Sequence, residues 1–545
     1  MVTRLLFGII IACCVWVDGS GQVMIQTRAE ASDFKSTSEY KDVMDFIEKL
    51  KSTSEYIRVD TIARSAEGRN IPLLIIGKPL PESPDGLAND PRIVIYIQAN
   101  IHAGEVEGKE ATLMFTRDIL TGENSKLLDH VILLICPILN PDGNEKISTL
   151  NRPDQNGPVN GVGVRYNGQF LDLNRDAMKA ESPEVRGLLT KVFNRWDPYV
   201  FMDCHTTNGS YHVEPVTFTW MVNPNGNNSL ISYMRDKMMP EISETLLSRY
   251  KVENCFYGEF YDMTDPEKGW AMDASEPRYM VNYYGLRNRL AILNENYVYA
   301  DFKSRVLGCY NLIHSLLDYA ATHCPEIKSI IADTDRGTIA RGTNSAATGS
   351  FAIEYRVKPA GRKVTIKTFE AELVSETDGW KNYKKGERQK TVTVPYYNDY
   401  YPVRSVEFPF AYLLTVNDHE IADLLRNHGI RLEKLAEDMK IQVQRFDITE
   451  LHGASRLNQG HYINSIRGNY LDGTIDFPAG TVVIRMSQPL ANVAAYLLEP
   501  ESDDGLLTWN FLDRYLVPQW GRGFNPYPVC KMMKNISLKT IPYLN

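Results

Sequence analysis

The apolar positions of the chain fall into two textures that meet near residue 325. Before it, short and nearly continuous apolar runs are separated by turn residues: "YIRVDTIA", "IPLLIIG", "RIVIYIQA", "HVILLICPI", "DPYVFMDCH" and "RLAILNEN". Between several of them the spacing is helical. Val43, Phe46, Ile47 and Leu50 share one face of residues 39–50. In "SPEVRGLLTKVFNRW" Ser182 is placed to cap, Pro183 suits the first turn, and Val185, Leu188, Leu189, Val192 and Trp196 recur at helical intervals. A further helix is predicted over 302–320. Apolar strands interleaved with helices imply an α/β domain, over about 35–325, whose largely parallel sheet is covered on both faces. After "HCPEI" the runs "SFAIEYRV", "KVTIKTFEAELV" and "KTVTVPYY" alternate like half-buried strands. Helical pieces follow, "DHEIADLLRNH" closed by Gly429 and "SQPLANVAAYLLEP". Residues 326–545 therefore read as an α+β accessory domain, packed directly on the first because no low-complexity linker intervenes.

Composition narrows the function classes. At 545 residues, 43% hydrophobic and 23% charged, the chain is that of a multidomain globular protein. A formal charge of −9 argues against a nucleic-acid binder. Residues 1–22 carry Arg4, an apolar core from Leu5 to Val17 and then small and polar residues, the pattern of a secretory signal peptide too short to span a bilayer. "IIAC" ending at Cys13 also resembles a lipid-attachment site, but the apolar residues 15–17 disfavour an anchor there. The expectation is an exported protein without a transmembrane span. No CxxC pair occurs, which excludes a thiolate zinc site or thioredoxin-like motif of that type. Cys136 and Cys204 lie in apolar runs and read as buried small hydrophobes.

Candidate chemistry sits where strands end. In open α/β sheets ligands bind outside the carboxyl ends of the strands. Here "IYIQANIHAGE" delivers His102 and Glu105, "YVFMDCHTTNG" delivers His205, "LAILNENY" delivers Glu295, and "FLDLNRD" offers Asp172, Asn174 and Arg175. Two histidines and a glutamate are a known three-ligand set for a catalytic zinc, which keeps a fourth position for water. Such an ion lowers the pKa of that water from 15.7 to about 7. Glu107 is the fallback for Glu105, and His212 is the close competitor of His205. His314 falls on a helix, and His419 begins "HEIAD", which lacks the second histidine of an H-E-x-x-H zinc helix.

"HAGE", "NPDG", "DLNRD", "DCHTTNG" and "ILNENY" occur in that order. This set resembles the zinc carboxypeptidase family, the group of carboxypeptidases A and B, over about 35–325. The resemblance implies a three-layer α/β/α fold around a mixed sheet and one zinc per chain, held by His102, Glu105 and His205. It further implies that Asn174 and Arg175 grip the substrate's terminal carboxylate and that Asp172 orients His102 through its other ring nitrogen. Glu295 would be the general base. Arg152 would polarise the scissile carbonyl, with Arg165 as competitor. Of Tyr257, Tyr261, Tyr279, Tyr283 and Tyr284, Tyr261 has the best spacing for the tyrosine that closes over the substrate. One departure is Asp176 where the family has asparagine, an acid that could reshape specificity. The implied activity is zinc-dependent hydrolysis at peptide or protein C-termini. The alternatives are a zinc amide hydrolase acting on wall peptides or acylated amino acids, and an inactive binding protein on the same scaffold.

Overall fold

The computed structural model describes residues 25–207, 209–344 and 349–543. The proposed signal segment and Cys13 lie outside them. Among the described residues no helix is long and apolar enough to cross a membrane.

Twelve strands precede residue 410 among the described residues: β1 (Ile57–Arg64), β2 (Asn70–Ile76), β3 (Ile93–Ala99), β4 (Val131–Cys136), β5 (Val200–Thr207), β6 (Val216–Trp220), β7 (Asn254–Phe256), β8 (Glu259–Phe260), β9 (Trp270–Ala271), β10 (Leu290–Tyr297), β11 (Ser350–Thr377) and β12 (Trp380–Glu407). Eight form one sheet in the order β1-β2-β4-β3-β5-β10-β6-β7. Its centre, β4-β3-β5-β10, is parallel. β1, β2 and β6 join antiparallel. The sheet is thus mixed around a parallel core, and β3, β4 and β5 are buried along their whole length, as continuous apolar runs require.

Strand periodicity shows the two covering layers. Phe201 packs on Phe193 and Tyr284, at 5.6 and 5.2 Å between ring centroids. Cys204, an odd number of residues along and so on the other face, approaches Cys309 of the helix Phe302–Arg341 at 3.8 Å between sulfurs. A Cβ on Gly108, in the helix Glu107–Thr121, would stand 2.5 Å from the Cys204 Cβ. Ser182 caps its helix as expected, accepting from Val185 N.

The helix predicted over 302–320 instead runs unbroken to Arg341 with Pro325 inside it. Proline removes one backbone donor and usually ends or kinks a helix. Here the next turns bury Ile327, Ile331, Thr334 and Thr338, and this packing carries the helix past the proline. Position 325 is therefore mid-helix, with no linker to mark a boundary.

The C-terminal region is richer in strand than the alternating runs implied. β11 and β12 form one long hairpin, whose second strand pairs through β9 with β8. Seven further strands between Ala411 and Pro542 make a third sheet. This region packs directly on the α/β part. Arg278 meets buried Asp504 at 3.0 Å, Asn223 Nδ2 donates to the Tyr496 hydroxyl at 3.0 Å, and the Tyr283 hydroxyl meets His428 Nδ1 at 2.8 Å. Cys136, Cys204, Cys255, Cys309, Cys324 and Cys530 are all free and buried.

Candidate metal and substrate site

The turn after β3 presents two of the expected ligands together. Asn100 takes the left-handed conformation, φ +62°, and its side-chain amide donates to Ala103 O and Glu105 O at 3.2 and 3.3 Å. Glu105 N donates to His102 O at 2.9 Å, closing the turn. Gly104 within it is needed for space, since a Cβ there would stand 2.7 Å from Arg152 Cδ. The third residue, His205, comes from the end of β5.

The three side chains converge. His102 Nδ1 lies 3.1 Å from Glu105 Oε1 and 3.2 Å from His205 Nδ1, which in turn lies 3.0 Å from Glu105 Oε2. The far nitrogen of each ring faces another carboxylate: His102 Nε2 is 2.9 Å from Asp172 Oδ1, and His205 Nε2 is 3.0 Å from Asp203 Oδ2. A ring whose proton sits on Nε2, toward its carboxylate, offers a lone pair at Nδ1. Two such lone pairs and a carboxylate then meet head-on in a buried space, an arrangement that a cation between them resolves. The donor set fits a zinc ion, and the carboxylate behind each histidine is the usual support of a metal-bound imidazole. The titration behaviour agrees. Burial opposes ionisation of Glu105, yet His102 and Arg152 outweigh it and hold its carboxyl well below the usual range. Burial likewise opposes charge on His205, but Asp203 and Glu105 push its pKa well above normal. The cluster demands positive charge.

Beside it lies a cavity of about 280 Å³ lined by His102, Glu105, Arg152, Arg165, Asn174, Arg175, Tyr257, Tyr279 and Glu295, among others. Arg152, at φ +49°, extends one nitrogen to Glu105 Oε1 and another to Thr206 O, both at 3.0 Å. Arg165 Nε donates to Asp172 Oδ2 at 2.7 Å. Arg175 stacks its guanidinium 4.3 Å from the centre of the Tyr279 ring, and Asn174 Oδ1 accepts from Met280 N at 2.9 Å. Burial pushes the Glu295 carboxyl up to about 8, with His205 pulling the other way.

Two expectations are corrected. Tyr261 does not line the cavity: it is 46% exposed and its ring lies 5.0 Å from that of Tyr397 in the hairpin. Tyr257 and Tyr279 are the tyrosines at the cavity. Asp176 is fully buried and satisfied by Lys179 at 2.9 Å and by Glu181 N and Ser182 N, so it does not face the cavity. Glu107, the fallback ligand, instead pairs with Arg305 at 3.1 Å. Sequence reasoning missed Asp203, although it stands two residues before His205 and so on the same strand face. It also missed Gln459, whose Oε1 accepts from Asp172 N at 2.7 Å and brings the C-terminal region against the site.

Residues 43–285 match the family model described as zinc carboxypeptidase. This part of the chain belongs to the zinc carboxypeptidase family. The match stops short of Glu295. Among curated relatives, "Carboxypeptidase 2" of Trichophyton tonsurans is 22% identical over 474 residues, covering 82% of this chain and 79% of that one. "Carboxypeptidase 2" of Trichophyton rubrum is 21% identical over 485 residues, covering 83% and 81%. Solved structures similar to this chain include a metallo-carboxypeptidase from Burkholderia cenocepacia, 18% identical over 52% of this chain and 70% of that one, TM-score 0.38. Another is a metallo-carboxypeptidase from Pseudomonas aeruginosa in complex with (2-guanidinoethylmercapto)succinic acid, 20% identical over 53% and 70%, TM-score 0.38.

Proposed function

We propose that this family member is an exported zinc metallocarboxypeptidase that hydrolyses the C-terminal peptide bond of peptides or proteins. The observation that carries the reading is that Arg175 and Asn174 share one cavity with His102, Glu105 and Glu295. A peptidase restricted to chain ends needs a fixed cation beyond the metal, and a guanidinium fork takes a carboxylate in two parallel bonds. The stack on Tyr279 limits the rotation of that fork before substrate arrives.

His102, Glu105 and His205 would hold the zinc, which when bound supplies Lewis acidity and an acidified water at its fourth position. Glu295 takes a proton from the attacking water and returns it to the nitrogen of the departing amino acid. Arg152, anchored on Glu105 and the Thr206 carbonyl, stabilises negative charge developing on the scissile carbonyl oxygen. Arg165, tied to Asp172, is better suited to holding that carboxylate in line with His102. Tyr257, at the cavity wall, replaces Tyr261 as the tyrosine offered to bound substrate.

The test is a set of peptides ending in each residue type, with free or amidated C-termini, incubated with the native protein with and without a chelator and read by mass spectrometry. Loss of single residues from free ends only, abolished by the chelator, is expected. Equal cleavage of amidated and free peptides would overturn the carboxypeptidase reading and leave a zinc amide hydrolase with another anchor.

A further inference from the structure

A second cluster of metal-ligating side chains lies outside the cavity. His212, Glu214 and Cys255 are 2%, 4% and 6% exposed, and their ligand atoms all lie within 4.8 Å of one another. His212 Nδ1 is buried without a hydrogen-bond partner and faces Glu214 Oε2 at 3.5 Å. Glu214 accepts from two backbone amides, Lys367 N at 2.8 Å and Val213 N at 3.3 Å. Among the described residues no lysine or arginine comes within ion-pairing distance of it: Lys367, bonded to it through the backbone, pairs its ammonium with Glu253 instead, and His212 is its one ion-pairing partner. Cys255 is a free thiol.

We propose that these three residues form a second, structural metal site for a borderline-soft divalent cation, with zinc as the ion of choice. The donor chemistry points that way. Imidazole nitrogen, thiolate sulfur and carboxylate oxygen are the three ligand types zinc accepts, with bonds of about 2.0–2.3 Å. Tetrahedral bonds of that length hold donors about 3.3–3.8 Å apart, so the cluster closes by small side-chain movements. The charges also balance. One thiolate and one carboxylate neutralise a divalent ion, which removes the large penalty of burying uncompensated charge. On binding, the Cys255 S–H bond is broken, its proton leaves to solvent and the sulfur–metal bond replaces it. The bland alternative, a buried His–Glu contact beside an inert cysteine, leaves the Nδ1 orphaned and the carboxylate without a cation. The metal accounts for both.

The location gives such an ion a task. His212 and Glu214 lie just before β6, and Cys255 is on β7. The same loop is bonded to β11 of the C-terminal hairpin: Val213 N donates to Lys367 O at 2.9 Å and Phe369 N to Tyr211 O at 3.1 Å. A metal here would staple the sheet edge where the hairpin docks. It would also brace the cavity, since the His212 ring stacks 3.7 Å from that of Tyr297, two residues beyond Glu295, and Cys255 stands two residues before Tyr257.

The experiment uses the full chain loaded with zinc or cobalt(II) alone and cleared of loose metal. Zinc content should be about two per chain in the native protein, and about one in each of His205→Asn and Cys255→Ser. The first cluster contains no sulfur. Cobalt-loaded native protein and His205→Asn should therefore both show a near-ultraviolet thiolate-to-metal charge-transfer band, and Cys255→Ser should not. Absence of the band in the cobalt-loaded native protein overturns the proposal, as does its persistence in Cys255→Ser. If Cys255→Ser fails to fold, the native spectrum decides alone.

Discussion

His205 and Glu295 are register partners, opposite one another on the neighbouring parallel strands β5 and β10. The sheet ladder itself thus fixes the spacing between a proposed metal ligand and the proposed base. A slip of one residue would turn Glu295 to the other face of the sheet. This gives the first prediction. Glu295→Gln keeps the side chain's shape and the register but removes the proton acceptor. Turnover should fall by about 10²–10⁴-fold, the usual contribution of general acid–base catalysis, while zinc content measured on the purified variant stays at the native value. Loss of zinc along with activity would make Glu295 a ligand or a structural residue instead.

The two carboxylates behind the histidines should separate in their effects. Asp203 touches His205 and accepts from Gln98 Nε2 at 3.0 Å, and it does not line the cavity. Asp172 holds His102, Arg165 and the Asn174 amide together, with Arg175 at 3.9 Å. Asp203→Asn should weaken zinc affinity by about 10–100-fold in a chelator competition and leave KM of the zinc-saturated enzyme near native. Asp172→Asn should weaken zinc by a similar factor and also raise KM, because the groups around the substrate carboxylate lose their common anchor. Equal KM in both zinc-saturated variants would deny Asp172 that double role.

Arg175 should account for the preference for a free end. A charge-assisted hydrogen bond contributes roughly 1.5–3 kcal/mol, so amidating the substrate should lower kcat/KM by about tenfold to a hundredfold, at 1.4 kcal/mol per decade. Arg175→Ala should lower kcat/KM for the acid by a similar factor and barely change it for the amide. Both changes remove one interaction, so in a double cycle they should not add. Additive losses would place the carboxylate anchor elsewhere.

How much of this was legible follows from how local each signal is. His102, Glu105, His205 and Glu295 announce themselves because polar residues interrupt or end apolar strands, and strand ends are where such sheets bind ligands. Asp172, Asn174 and Arg175 stand out as a polar segment, but their roles come only from the resemblance of a whole motif order; the structure brings the three together. Tyr261 has the best spacing in sequence, but its environment is set by Tyr397, more than a hundred residues away, which no local pattern encodes. The helix expected over 302–320 runs on to Arg341 because the buried face of its last turns carries it past Pro325, a packing effect that the local pattern does not encode. Gln459 was out of reach for the same reason: its bond to Asp172 depends on how the C-terminal region docks.

His428 lies at that docking surface and should make stability pH-dependent. Its Nε2 meets Met178 O at 2.9 Å and its Nδ1 the Tyr283 hydroxyl at 2.8 Å. The carbonyl can only accept, so Nε2 carries the proton; in the neutral ring, which burial favours, Nδ1 accepts from the hydroxyl. Burial lowers its pKa to about 3, with Arg287 also disfavouring charge and only the Met178 carbonyl opposing. The unfolded chain titrates near 6.5. Between about 6.5 and 3 the unfolded state binds a proton that the folded state refuses. The contribution is thus present above 6.5 and is lost as pH falls toward 3, by at most about 1.4 kcal/mol per pH unit. Glu184 works in the opposite sense: burial raises it to about 7, so it favours folding below the unfolded value near 4.5 and loses that contribution as pH rises through 7. Thermal unfolding at pH 4.5 and 7.5 checks the pair. His428→Gln should show a smaller drop in Tm between pH 7.5 and 4.5 than the native protein. Glu184→Gln should show a larger one, because it removes a group that favours the acid side. If both variants track the native pH dependence, neither group is the buried neutral species that its surroundings require.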